Sequence, residues 1–172
     1  PTLKVTGFPL EKGVYIAAVV EDTNLWHNGE LAPGANSNWE INLLAGDPEE
    51  ISYARLCFNI DMLGQCFGPC TNFERAVRVE GQLNSGNTSS ATLEMFVPWE
   101  ALKVDTALGV PDTFYCYPSY RSVLPGKSET TVMDMIAGTS QLKDYYLFTE
   151  KGYHNMDREG AVVGDSAVGL AK

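Results

Sequence analysis

The strongest constraint on this chain is its punctuation: short runs of β-branched and aromatic residues, each closed off within a few positions by Gly, Pro, Asn or Asp. Such runs occur at residues 14–20, 39–44, 52–60, 76–80, 92–97 and 113–120. They read as strands, because branched and aromatic side chains suit a pleated surface while the intervening residues favour turns. Alternation agrees: Trp39, Ile41 and Leu43 fall on one side of their run, and Asn38, Glu40 and Asn42 on the other, the two-residue period of a half-buried strand. Helix is confined to residues 99–103, where Pro98 opens one turn. The polar stretch 82–90 reads as a hairpin loop that pairs a strand ending at Glu80 with one beginning near Ala91.

The expected fold is therefore all-β: a two-layer antiparallel β-sandwich, jelly-roll-like, with at most one short helical turn. Trp39 and Trp99 belong in its core. A chain of 172 residues suits one domain. We expect it to span residues 1–163, with a last strand at 161–163 and a tail or linker at 164–172. No internal repeat is visible.

Charge narrows the partners. The net charge of −10 repels a polyphosphate, and the twelve basic residues are scattered, so nucleic acid is not an expected partner. No apolar run approaches the roughly 20 residues of a spanning helix, so membrane insertion is not expected. The opening Pro1-Thr2-Leu3-Lys4 lacks the apolar core of a signal peptide and reads as an excision from a longer protein. Cys57, Cys66, Cys70 and Cys116 are compatible with two disulfides, but no His or second close Cys pair completes zinc spacing.

Three segments, in order, resemble the family 9 carbohydrate-binding modules and the DOMON-like sandwiches that group with them. GVYIAAVVED at 13–22 and NWEINL at 38–43 resemble two strands that each carry an acidic residue. VRVEG at 77–81 followed by ATLEMFVPWEAL at 91–102 resembles the family's hairpin and its Glu-x-x-x-Pro-Trp-x-x-Leu signature. GYHNMDREG at 152–160 is similar to the closing aromatic segment. Three departures stand out: the family's usual opening segment is missing, the loop 24–37 is long, and Glu159 occupies a position where a Phe commonly precedes the glycine.

The resemblance implies a non-catalytic glycan-binding module of a larger secreted or surface-attached carbohydrate-active protein, bacterial and ancillary to a glycoside hydrolase. Its partners would be an oligo- or polysaccharide and neighbouring domains of the same polypeptide. Sugar rings offer C–H faces and a rim of hydroxyls, so such a site combines aromatic platforms with fixed polar groups. The family pattern assigns Glu40 and Arg55 to polar contacts, and alternation adds Asn42 to the face of Glu40. It assigns Tyr153 to the platform with Asn155 beside it, and Trp26 in the long loop is the opposing wall. The alternative for Glu40 and Arg55 is a solvated cross-strand ion pair. Tyr115, Tyr117 and Tyr120 are expected to pack, and His27 and His154 to be exposed loop histidines without a role. No cofactor is required. The resemblance does suggest a calcium ion held by loop oxygens, although Asp22, Asp47 and Asp61 lie in turns where Asp commonly bonds its own backbone.

Three other functions compete. Catalysis lacks a motif: Gly164-Asp165-Ser166 is followed by Ala167-Val168 rather than by glycine. A haem-binding DOMON-like domain would draw on Met133, Met135 and His154. A structural spacer without a ligand needs no site at all.

Overall fold

The structure is a computed structural model. It describes residues 2–29, 36–45, 56–123, 130–134, 146–149, 152–155 and 169–171, with side chains for all of these except 130–134, 146, 152–155 and 169–171. The strands in chain order are β1 (Thr2–Leu10), β2 (Gly13–Asp22), β3 (Asn38–Leu44), β4 (Leu56–Asp61), β5 (Cys66–Phe67), β6 (Arg75–Glu80), β7 (Ser89–Pro98), β8 (Thr113–Val123), β9 (Thr130–Asp134), β10 (Tyr146–Thr149), β11 (Gly152–Asn155) and β12 (Gly169–Ala171). They form two antiparallel sheets. One has the order β12-β1-β2-β7-β6; the other runs β11-β10-β8-β3-β4-β5, with β9 also paired to β8. β2 pairs with β7 in the first sheet while β3 pairs with β8 in the second, the nested crossing of a jelly-roll-like sandwich.

Alternation builds the core. Leu3 and Val5 of β1, the Val14–Ile16–Ala18–Val20 set of β2 and the Ala91–Leu93–Met95–Val97 set of β7 are buried. They face Trp39, Ile41 and Leu43 of β3, Phe58 and Ile60 of β4, and Phe114, Cys116 and Tyr120 of β8. β1 was not among the expected strands, although Leu3, Val5 and Gly7 alternate with Lys4 and Thr6. Gly7 in β1 is a close-approach position: a Cβ there would lie 2.9 Å from Phe114, whose ring stacks on Phe148 at 5.1 Å between centroids. A side chain at residue 7 would therefore displace the aromatic pair that packs on β1 from the larger sheet.

The ends of the sandwich are tied by polar groups. Asp22, buried at the end of β2, accepts hydrogen bonds from the Tyr120 and Ser122 hydroxyls of β8 in the opposite sheet. At the other end the expected turn is present as a 3-10 helix, Trp99–Leu102, and the Trp99 indole donates to the Leu10 carbonyl at 2.9 Å. A second such turn, Thr106–Leu108, which the sequence reading did not include, is capped by the Asp105 carboxylate. The hairpin of β6 and β7 pairs Glu80 with Ser90, as expected. In the stretch expected to be tail, β12 pairs with β1; residues 161–163 lie outside the described part.

Of the two disulfides that four cysteines allow, Cys66 and Cys70 form one. Cys57 and Cys116 do not form the second, because they occupy opposite faces of one sheet: Cys57 is opposite Asn42, and Cys116 is opposite core residue Leu43. Burial pushes the Cys116 thiol well above its ordinary value.

Candidate functional site

The outer face of the larger sheet is built in rows, since residues opposite one another in an antiparallel pair share a face. Three rows cross β4, β3 and β8: Asp61–Asn38–Arg121, Asn59–Glu40–Ser119 and Cys57–Asn42–Tyr117. The expectation that this face is polar holds, but its centre is not solvated: Asn38, Asn42, Asp61, Tyr117 and Ser119 are buried. Buried polar groups need partners, and most are visible. Asn59 Nδ2 donates to Asn38 Oδ1 at 2.9 Å, Asn38 Nδ2 to the Asn36 carbonyl at 2.8 Å, and Asn42 Nδ2 to Glu40 Oε1 at 3.4 Å.

Among the residues whose side chains are described, Glu40 is the accessible acid of the three rows, and its cationic partner is Arg121 of β8, which donates to Glu40 Oε2. Arg55, to which the sequence reading gave that place, lies outside the described residues. The Glu40 side chain is 22% exposed and that of Arg121 40%, so the pair sits at the boundary between the screened centre and solvent. Such a pair presents a carboxylate that accepts and a planar guanidinium that donates, side by side. Arg121 Nε is buried without a hydrogen-bond partner. Asn42 is too deep to touch a ligand; it holds Glu40.

Trp26 is half-buried in the loop that leaves β2, and its segment is pinned. Its N–H donates to Ser37 Oγ at 3.1 Å, and its carbonyl accepts from Ser37 N–H at 2.8 Å, immediately before β3. The neighbouring His27 is buried, not the exposed loop histidine expected from the sequence. Its Nδ1 accepts from Gly29 N–H at 3.0 Å, which leaves the proton on Nε2 to donate to Asp61 Oδ2 at 3.1 Å. Asn84, in the β6–β7 loop at φ 61°, receives the His27 N–H on its side-chain oxygen and donates to the His27 carbonyl. These bonds bring the Trp26 segment to the Asp61–Asn38–Arg121 row, about 7 Å along the strand from the row of Glu40. Neither His27 nor Asn84 carried a sequence signal beyond residue type.

Tyr153 and Asn155 lie on β11, three strand spacings or about 14 Å from β3. Tyr153 pairs with Phe148 and, through it, Phe114; Asn155 pairs with Tyr146 and, through it, Cys116. Phe148, Phe114 and Cys116 are core residues, so the register sets positions 153 and 155 in rows different from those of Glu40 and Asn42. The structure thus joins Glu40 and Asn42, with Arg121 added, and ties the backbone of Trp26 to the residue before β3.

The turn carboxylates fit a calcium ion poorly. Asp22 accepts from Asn24 N–H, Tyr120 and Ser122; Asp61 accepts from Leu63 N–H, Gln65 N–H and His27. Both are engaged with protein donors on each oxygen, and Asp47 lies outside the described residues. Among the described residues no group of three or more His, Cys, Asp or Glu side chains is placed to hold a metal ion. No described helix is long and apolar enough to cross a membrane.

No protein-family model and no curated protein matches the sequence. Among solved structures, the chain is similar to a family 9 carbohydrate-binding module from Caldicellulosiruptor kristjanssonii in complex with cellotriose. The TM-score is 0.54 at 13% identity, over 77% of this chain and 64% of that one. At that identity the likeness is one of fold: a carbohydrate-binding-module-like β-sandwich.

Proposed function

We propose that this chain is a non-catalytic glycan-binding module of a larger, secreted or surface-attached, carbohydrate-active protein. The observation that carries the reading is the Glu40–Arg121 pair, set at the solvent boundary of a sheet face whose β3 begins beside the pinned backbone of Trp26, on a sandwich whose fold is shared with a module that binds cellotriose. A sugar laid against Trp26 would place adjacent hydroxyls on the carboxylate and the guanidinium, one accepting and the other donating. Asn42 positions the carboxylate from below. Arg121 takes the part the sequence reading gave to Arg55, and the site does not draw on Tyr153 or Asn155. Nor does it need calcium from Asp22 or Asp61. Attachment to a glycoside hydrolase and a bacterial extracellular setting are part of this proposal.

The haem alternative has less support. A shared iron needs its Met and His on a common face, yet Met133 pairs with core residue Tyr120, whereas His154 pairs with Leu147 in the row of Tyr115. Those rows belong to opposite faces. Met135 lies outside the described residues.

The test is a glycan array probed with and without calcium, followed by titration calorimetry on any hit with Trp26→Ala and Glu40→Gln. We expect calcium-independent binding and a roughly tenfold loss of affinity for each variant, the scale of one aromatic contact or one charge-assisted hydrogen bond. A blank array would leave the spacer role. Binding unmoved by both substitutions would place the site elsewhere.

A further inference from the structure

The outer face of the smaller sheet carries a second aromatic arrangement. Phe8 on β1, Tyr15 on β2 and Phe96 on β7 form one cross-strand row, Phe8 opposite Tyr15 and Tyr15 opposite Phe96. All three are half-buried, between a row of Thr6, Ala17, Glu94 and Ala76 and a row of Leu10, Gly13 and Pro98. Adjacent strands lie about 4.8 Å apart, so the three side chains leave the sheet one strand spacing after another. Those of Phe8 and Tyr15 are within 17° of parallel, with centroids 6.3 Å apart. Phe96 is laid across its neighbour: a Cβ on Gly13 of β2 would lie 2.7 Å from Phe96 Cζ, so the ring occupies the space over the glycine. The Tyr15 hydroxyl donates to Glu94 Oε1 at 2.8 Å, which fixes the central ring.

Beside the row the surface falls into a shallow cleft of about 360 Å³ bordered by Tyr15, Phe96, Ala76, Arg75 and Glu94. Ala76 and Glu94 also border a second depression, of about 200 Å³, with Arg78, Glu80 and Thr92. The guanidinium of Arg75 is spent on the carbonyls of Gly64, Cys70, Thr71 and Phe73, and Arg78 pairs with Glu80. Within the two depressions the charge left over is the carboxylate of Glu94, together with Glu74, while Lys4 stands one row beyond, on a chain of net charge −10. That balance disfavours uronates, phosphates and anionic lipid headgroups. A protein partner would bury the Glu94 carboxylate out of water at a cost that an apolar contact does not offset. Sugar hydroxyls can donate to that carboxylate while the ring faces meet the aromatics.

We propose that this face is a second glycan-binding surface, which takes an uncharged polysaccharide chain lying along Phe8, Tyr15 and Phe96 with its hydroxyls on Glu94. It lies on the far side of the sandwich from Glu40 and acts independently of the site there. The experiment is an amide NMR titration of the chain with cellohexaose, xylohexaose and mannohexaose, run on the wild type, Phe8→Ala, Phe8→Ala/Phe96→Ala and Glu40→Gln. With at least one of these glycans we expect shifts at Phe8, Tyr15, Glu94 and Phe96 that persist in Glu40→Gln. They should weaken several-fold in Phe8→Ala and roughly tenfold or more in the double variant. The unchanged remainder of the spectrum reports folding, and Phe8→Ala serves if the double variant loses it. Shifts confined to the Glu40 face would overturn this proposal and leave the first site standing. Shifts on neither face would overturn both. Concentration-dependent dimerisation through the aromatic row, in place of glycan shifts, would overturn it in favour of self-association.

Discussion

The two outer faces of this sandwich invert the usual relation between polarity and exposure. On the larger sheet the outward rows are polar yet largely closed to solvent, with Asn38, Asn42, Asp61 and Ser119 buried. On the smaller sheet the outward row is aromatic yet half-open. Polar groups withdrawn from water must be satisfied by one another, which fixes side-chain positions and leaves Glu40 and Arg121 as the part of that network that meets solvent. Aromatic groups left in water keep part of their apolar surface available, and nothing but their neighbours fixes them. Fixed hydrogen-bonding geometry and available apolar area are the two requirements of sugar recognition, and here they dominate opposite sides of one domain.

The contrast can be broken by substitution. The largest effect is expected for Asp61→Ala, which strands the His27 imidazole and the Leu63 and Gln65 amides in a buried setting. We expect a loss of about 3 kcal/mol in urea denaturation, at 1–3 kcal/mol for an orphaned buried group. A loss below about 0.5 kcal/mol would mean that this face behaves as an ordinary solvated surface. Phe96→Ala on the open face uncovers Gly13 and removes one ring of a half-exposed row. It should cost about 1–2 kcal/mol by the same measurement, less than burial in the core would imply.

Tyr15 sharpens the comparison through pH. Partial burial, then the hydrogen-bonded Glu94 carboxylate, push its phenol up to about 12 from an ordinary value of 10.0. The folded state therefore holds this proton more tightly than the unfolded state. The stabilisation is present in full below pH 10 and is lost as pH rises from there through about 12. Stability measured by urea denaturation should fall across that alkaline window in the wild type and less steeply in Tyr15→Phe; an identical slope would show that folding does not raise the phenol. The smallest effect belongs to Arg78→Ala, whose ion pair with Glu80 has side chains 80% and 63% exposed. A change within about 0.5 kcal/mol is expected, and a larger one would mark this rim as more than a solvated pair.

Local features were legible in the sequence. The hairpin between Glu80 and Ser90, the turn after Pro98 and the inward tryptophans at 39 and 99 each depend on neighbours a few residues away, and each is found in the fold. β1 went unread although its alternation is as regular as that of β3; it pairs with β2 across a two-residue turn, and its Gly7 admits the Phe114–Phe148 pair, a contact more than 100 positions distant. At the candidate site Glu40 was singled out by the family resemblance, and its alternation with Trp39 and Ile41 set its face. Arg121 was not, because the hydrogen bond that joins them spans 81 residues and depends on which strand lies beside β3.

The sequence by itself determined the architecture: period-two patterning and turn residues act over a few positions, and burying one face of each strand leaves two packed sheets as the outcome. The tertiary structure alone decided the partners. It put Arg121 rather than a neighbour in sequence beside Glu40, folded His27 onto Asp61, and lined up Phe8, Tyr15 and Phe96 from three strands. Those relations follow from strand order and register, which many distant contacts select together and which no single segment encodes.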